Sequence, residues 1–280
     1  MRAVAEFIMR GRVRAVVLTM VGIPLISPAI LALVSLRRGG SDGLMVLAWA
    51  LLPIVVMGMS GHVSPLVTGI SASHFAAVFC GAMALRSSHS WVVGLVTVTA
   101  ASAVGILLTS LFGGGLLQGF LQAVENAAAQ PAAVPMDELE QIFSGELQIT
   151  GYLSLISAMS ATLALVLGRY WQAVLYNPGG FRQEFQQLRL PLWLAAASML
   201  LWVVSLVTPG YAFWGAVVAF PLVVAGIALI HWLVASRGWG VGPLVAMYLM
   251  LVIGGLPLAG FLCGLALVDS WIDIRGRSAK

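Results

Sequence analysis

Charge is what this sequence has least of. Of its 280 residues only 9% are charged and 60% are hydrophobic, and the mean hydropathy is +1.01. A soluble domain carries about 25% charged residues, so this chain cannot cover a water-facing surface. That excludes a soluble enzyme, a nucleic-acid-binding domain and a disordered chain. Cysteine is equally scarce. Cys80 and Cys263 both fall inside apolar runs, with no CxxC, no Cys/His metal spacing and no disulfide framework. They read as small buried thiols. Carboxylates are missing from the middle of every apolar run: all ten acids sit in loops, tails or at helix ends. Proton relays and ion-coupled carriers place Asp, Glu or His inside the bilayer, where each charge costs roughly 2.5–3.5 kcal/mol. A self-energised symporter is therefore disfavoured. So is an intramembrane aspartyl or metalloprotease, since there is no Asp pair and no HExxH. No metal, cofactor or nucleic-acid partner is expected. The net charge of +4, from 14 Lys and Arg against 10 acids, fits membrane topology and headgroup contact.

What the chain does have is apolar length. A helix needs about 20 mainly apolar residues to cross the hydrocarbon, and eight runs qualify or nearly so: 15–36, 44–59, 63–85, 91–112, 149–167, 190–207, 211–235 and 241–268. They are continuous, whereas barrel strands alternate in ~10-residue units. The expected fold is an all-α polytopic transmembrane bundle of about eight spans, one integral membrane domain over residues 1–280. The basic residues before the first run lack a clear A-x-A cleavage site, so that segment reads as retained. Residues 1–14 carry Arg2, Glu6, Arg10 and Arg14 four apart, the polar stripe of an interfacial helix. Residues 113–148 form the one sizeable extramembrane stretch and predict two amphipathic surface helices. The first has Leu117, Phe120, Leu121 and Val124 on one face. The second follows the Pro131–Pro135 breaker, with Asp137 and Glu140 as a capping pair ahead of Leu139, Ile142, Phe143 and Leu147. Their acidic character favours docking on the bundle or on a partner over anionic headgroups.

Orientation is a tie. With eight crossings, one set of loops holds Arg37, Arg38, Arg86, Arg169, Arg182, Arg189 and Arg237. The termini, on the other side, hold Arg2, Arg10, Arg12, Arg14, Arg275, Arg277 and Lys280. Flanking charges of the first helix favour cytoplasmic termini. The first run contains Gly22, Pro24 and Pro28, and the last Gly254, Gly255, Pro257 and Gly260. Both read as ordinary kinked spans. The sharper alternative is that both re-enter, which places all 14 basic residues on one side.

Three kinds of candidate site stand out. Ser64, Thr68, Ser71 and His74 recur at four, three and three, so they share a face of the third span. Thr68, Ser71 and His74 are a candidate pocket wall, or hydroxyls and a neutral His bonding to neighbouring helices. Thr97, Ala101, Gly105 and Thr109 form a row of small residues, and Gly260 with Gly264 a GxxxG; both suit packing in the bundle or against a partner. The strongest local signal follows the fifth span. Asn177-Pro178-Gly179-Gly180 is a forced turn, then Phe181, Phe185 and Leu188 recur with Arg182, Gln186 and Arg189 opposite. Free backbone N–H groups beside Arg169 and Arg182 suit an anionic group; a re-entry turn with snorkelling arginines is the plainer reading.

That stretch carries a resemblance. Tyr170-Trp171-Gln172-Ala173, then Tyr176 through Phe181, Glu184-Phe185 and Leu188-Arg189-Leu190, resembles the YybS-like family of bacterial polytopic membrane proteins. So does the ending, Gly264-Leu265 through Asp269, Trp271, Asp273 and Arg275. The resemblance implies a multi-pass protein of the bacterial cytoplasmic membrane, with no established activity. It also implies fold-level kinship with the substrate-binding (S) components of energy-coupling-factor transporters, which have six helices, an outward-facing pocket and a separate ATPase module. Eight runs depart from that pattern, and such kinship is an associational guide to function.

The leading expectation is a non-enzymatic membrane protein that binds a small or amphiphilic molecule and relies on a partner for energy. Thr68, Ser71 and His74 would line its pocket. Arg169, Asn177, Gly179, Gly180 and Arg182 would form its mouth, on the side opposite the termini. Membrane lipid is the expected surroundings. A second expectation is a scaffold without a ligand, docking a protein through Thr97, Ala101, Gly105 and Thr109 or through residues 113–148. A third is a lipid-modifying enzyme using His74 or His231 as base, which needs a carboxylate such as Asp269, Asp273 or Glu184 beside it.

Overall fold

The computed structural model describes residues 2–113, 115–128, 143 and 145–277. Among them are thirteen helices and no strand: α1 Arg2–Met9, α2 Arg12–Met20, α3 Ile26–Arg38, α4 Gly40–Met59, α5 Pro65–Ser88, α6 Trp91–Gly113, α7 Leu116–Ala128, α8 Glu146–Tyr176, α9 Gly180–Gln186, α10 Leu192–Val207, α11 Ala212–Ser236, α12 Gly242–Ile272 and α13 Ile274–Arg277. The chain is an all-α helical bundle. Six helices, α4, α5, α6, α8, α11 and α12, are long and apolar enough to span a membrane, which makes it a multi-pass membrane protein.

Which helices actually cross is fixed by what their ends touch. One end of the bundle gathers arginine. There Asp42, at the start of α4, pairs with Arg12 at 3.0 Å and Arg38 at 3.6 Å. Arg86, near the end of α5, donates to the Leu36 carbonyl. Glu184 of α9 joins Trp91 at the start of α6 to Arg169 near the end of α8. At the far end, Ser110 of α6 donates to Glu146 at 2.8 Å, and Trp214, early in α11, donates to the Leu147 carbonyl at 2.9 Å. α10 runs from Arg189 at the basic end to Thr208 at the far end, so it crosses although it has only 16 residues.

The first and last apolar runs do not cross. In the first, α2 and α3 fold back on each other. Arg38 at the end of α3 donates to the Met9 carbonyl at 2.8 Å, just ahead of α2, while Ser27 at the start of α3 reaches Leu18 near the end of α2. Gly22 (φ +72°) and Leu25 (φ +63°) make the turn. Thirteen residues give α3 about 20 Å, too short to span, and residues 27–36 are buried throughout. In the last run, α12 breaks at Gly255 (φ +48°, ψ −123°), with Pro257 just beyond. Its early residue Tyr248 bonds to His231 at 2.9 Å. Just past its other end, Arg275 donates to the Gln186 and Leu188 carbonyls. Gln186 itself donates to the His231 carbonyl at 3.4 Å, so both ends of α12 meet at one place.

The expected eight crossings are therefore six: α4, α5, α6, α8, α10 and α11, with a re-entrant hairpin at each end of the chain. Every arginine of the sequence lies at the basic end, and the seven-to-seven tie disappears. A sidedness experiment separates the two topologies. With a membrane-impermeant maleimide, cysteines at Ala3, Ser87, Arg237 and Arg277 should share one response, and those at Ser60 and Thr208 the opposite one. Eight crossings predict that Ala3 and Arg277 label with Ser60.

At the far end α7 docks on the bundle. Its first N–H groups, which no helical carbonyl can satisfy, donate to the Glu146 carboxylate from Leu116 (2.7 Å) and Leu117 (3.0 Å). Phe120 packs edge-on against Phe143 and Tyr152. The second surface helix expected after Pro135 falls largely outside the described residues, and Glu146 and Leu147 already belong to α8. At the N-terminus the expected interfacial helix ends at Met9, and Arg12 and Arg14 open α2.

Candidate functional site

A cavity of about 950 Å³ lies between α8, α11 and the first arm of α12, at the large end of the ~300–1,000 Å³ typical of ligand sites. It exists because the arm, residues 242–254, is loosely held. Met247 is its one buried residue, and the Tyr248–His231 bond ties it to α11. The second arm packs tightly instead: a Cβ at Gly226 would run into the Leu262 backbone. The walls are single helical faces. α11 contributes residues from Ala216 through Val223 and Ile227 to Ala235, a wall about 28 Å long at 1.5 Å per residue. α8 contributes Leu155, Met159, Leu163 and Val166.

The lining is sharply asymmetric. Most of its length is aliphatic or aromatic, and among the described residues no Asp or Glu lines it. Arg182, Gln186, His231 and Tyr248 supply most of its polar groups, all at the basic end. The sequence explains why α9 sits there. Gly179 takes φ +86°, which an L side chain resists, and opens α9. Phe181 then packs against Trp91 and Tyr170, Phe185 lies edge-on to His231 at 5.4 Å, and Glu184 binds Arg169. That leaves Arg182, exposed at the cavity, with no hydrogen-bond or ion-pair partner among the described residues.

Of the eight candidate ligand-binding residues, Arg182 lines this cavity and the other seven do not; His231, the candidate base, also lines it. Arg169 is held by Glu184 and Gln172. Asn177, Gly179 and Gly180 form the turn before α9, where the Gly180 N–H donates to the Asn177 carbonyl at 3.0 Å. Thr68, Ser71 and His74 lie on α5, which gives the cavity no wall. Thr68 bonds back to Ser64 at 3.0 Å, and His74 lies against the Ser157 backbone. The mouth was expected opposite the termini. It lies on their side, because the two hairpins return both chain ends to the basic end. Gly105 packs on Ser73, and Thr109 on Gly69, between α6 and α5. The three carboxylates that could have served a histidine base are taken: Glu184 by Arg169, Asp269 by Arg275 and Asp273 by Arg189.

Gln186, Tyr248 and Trp202 were not singled out as site residues. Gln186 had a signal, since it lies four residues after Arg182 and so on the same helical face. Tyr248 had none until the last run was folded back to set it beside His231. No protein-family model, curated protein or solved structure matches the chain.

Proposed function

We propose that this protein is a non-enzymatic, amphiphile-binding membrane subunit that relies on a partner for any energy input. The observation that carries this reading is the cavity: apolar along most of its length, with its charged group and most of its polar groups gathered at one end. A water-soluble substrate would need polar groups spread along the walls to replace its hydration. An amphiphile needs them at a single end. The lack of carboxylates within the spans supports a passive binding role over an ion-coupled carrier. Placement in a bacterial cytoplasmic membrane, and the comparison with transporter S components, rest on the resemblance to the YybS-like family; six crossings agree with the six helices of those components. The concentration of arginine favours a cytoplasmic basic end, which would open the polar mouth inward where S components open outward.

The test uses a photoreactive monoglyceride, its diazirine near the tail end, in phosphatidylcholine nanodiscs. Crosslinks should concentrate on the α8, α11 and α12 walls, and Ala259→Trp, which fills the cavity, should remove most of them. Crosslinks confined to the outer faces, or indifferent to Ala259→Trp, would support a scaffold without a ligand.

A further inference from the structure

We infer that the molecule taken into this cavity is an anionic amphiphile, with an oxyanion head, phosphate or carboxylate, against Arg182 and a long acyl or alkyl tail along α11. The inference rests on the cavity being a binding site and adds what selects its occupant.

Selection has to come from the head. For a molecule already in the bilayer, moving its tail from lipid into an apolar cavity exchanges one hydrocarbon environment for another. The aliphatic walls set length and shape and give little net attraction. Whatever distinguishes the occupant from the surrounding lipid therefore lies at the polar end.

That end presents a cation and hydrogen-bond donors, and no anion. Arg182 has no partner among the described residues, while its helix neighbour Glu184 is engaged by Arg169 and the Trp91 indole. Among the described residues no acid lines the cavity, so the local formal charge is unbalanced. The His231–Tyr248 bond adds a donor whichever way its proton points. If the tyrosine hydroxyl donates to Nε2, a neutral imidazole carries its hydrogen on Nδ1. If Nε2 donates to the hydroxyl oxygen, the tyrosine hydrogen is free. Gln186 donates through one amide hydrogen to the His231 carbonyl and keeps a second. A guanidinium fork with neutral donors beside it matches an oxyanion. A cationic head would meet Arg182 as a like charge, and a neutral head would leave it unanswered.

The geometry accommodates the tail as well. The polar groups sit at the basic end of a wall about 28 Å long, so the head stays at headgroup depth while the tail runs inward past Ile227 and Val223. A free phosphate lacks anything to fill that length.

The experiment measures displacement of the photoreactive monoglyceride from the cavity, again in phosphatidylcholine nanodiscs. Competitors are hexadecyl phosphate, palmitate, phosphatidylglycerol, inorganic phosphate, monopalmitin and hexadecyltrimethylammonium. Hydrogen bonds to charged groups predict that the two single-tailed anions compete roughly 10- to 100-fold better than monopalmitin. Phosphatidylglycerol tells a two-tailed membrane lipid from a single-tailed amphiphile, and inorganic phosphate should not compete. Arg182→Gln should abolish the preference, and Arg277→Gln, also exposed but outside the cavity, should leave it intact. The inference is overturned if anionic and neutral competitors are equivalent, or if both variants lower the preference alike, which is attraction to a basic surface. Failure of the monoglyceride to label the cavity at all sinks the underlying binding reading instead, so the two failures are distinguishable.

Discussion

Replacing Asp269 with alanine should destabilise the protein by about 3–5 kcal/mol, the range found when one partner of a buried ion pair is removed. The Asp269 side chain is 2% exposed and that of Arg275 10%, with Oδ2 and Nε 3.2 Å apart. Oδ1 also accepts the Ile274 backbone N–H at 3.1 Å. Burial pulls the Arg275 guanidinium below its ordinary value, and Asp269 opposes that pull. An arginine stays charged in proteins, so the variant buries an uncompensated cation instead of a neutral group. The same guanidinium clamps the Gln186 and Leu188 carbonyls, so its disturbance spreads to α9 and the polar end of the cavity. Asp269→Asn keeps an acceptor for Ile274 and should lose less. Arg275→Met together with Asp269→Leu should recover much of the stability, because replacing both charges leaves none unpaired. Unfolding in detergent, followed by tryptophan fluorescence, reads the series. Equal stability of wild type and Asp269→Ala would mean that water reaches the pair and that the last hairpin is not latched to α9.

The membrane class and the helical architecture were legible in the sequence, because scarcity of charge and continuous apolar runs are properties of composition and need no tertiary information. Crossing against re-entry was not. Hydropathy reports that a segment avoids water, and a hairpin of two half-helices avoids water as well as one full span does. The breakers were visible at Gly22, Pro24, Gly254, Gly255 and Pro257, but the same residues also kink ordinary spans. What decides is long-range: Arg38 on Met9 and Arg275 on Gln186 are contacts between segments that no local pattern connects.

The candidate site was less legible for a similar reason. Thr68, Ser71 and His74 form a polar stripe at helical spacing, yet the α5 face beside them is used for helix packing, with Ser73 and Thr109 3.3 Å apart. The cavity arises where packing is missing, between the loosely held arm of α12 and the faces of α8 and α11. A missing contact leaves no periodic mark in either partner. Arg182 was visible because it stood in a short segment dense with turn residues and charges. Its lack of a partner became apparent once Glu184 was seen bound to Arg169.

Leucine at Gly168 should prevent α3 from seating and abolish recovery of folded protein. A Cβ there would lie 2.6 Å from the Ala32 Cβ, 2.9 Å from the Ala29 carbonyl oxygen and 3.0 Å from the Leu33 nitrogen. Two of those atoms are backbone and the third is fixed to it, so no rotamer change relieves the clash. Overpacking of this kind costs about 1–3 kcal/mol for a small addition, which sets the scale for Gly168→Ala; leucine adds a whole side chain in the same gap. The consequence exceeds an ordinary core clash because α3 is too short to span and its turn carries backbone groups that lipid cannot satisfy. Packing against α8 is what lets it stay inside the membrane. Gly264→Leu is the control, since nothing lies within 4 Å of a Cβ at that position, and it should behave as wild type although Gly264 belongs to the more conspicuous GxxxG. Any Gly168→Leu protein recovered should also show altered labelling at Ala3→Cys, because a first hairpin driven from its seat either crosses or leaves the bilayer. Normal yield with unchanged labelling would remove α3 from its place against α8, and with it the first of the two re-entrant hairpins.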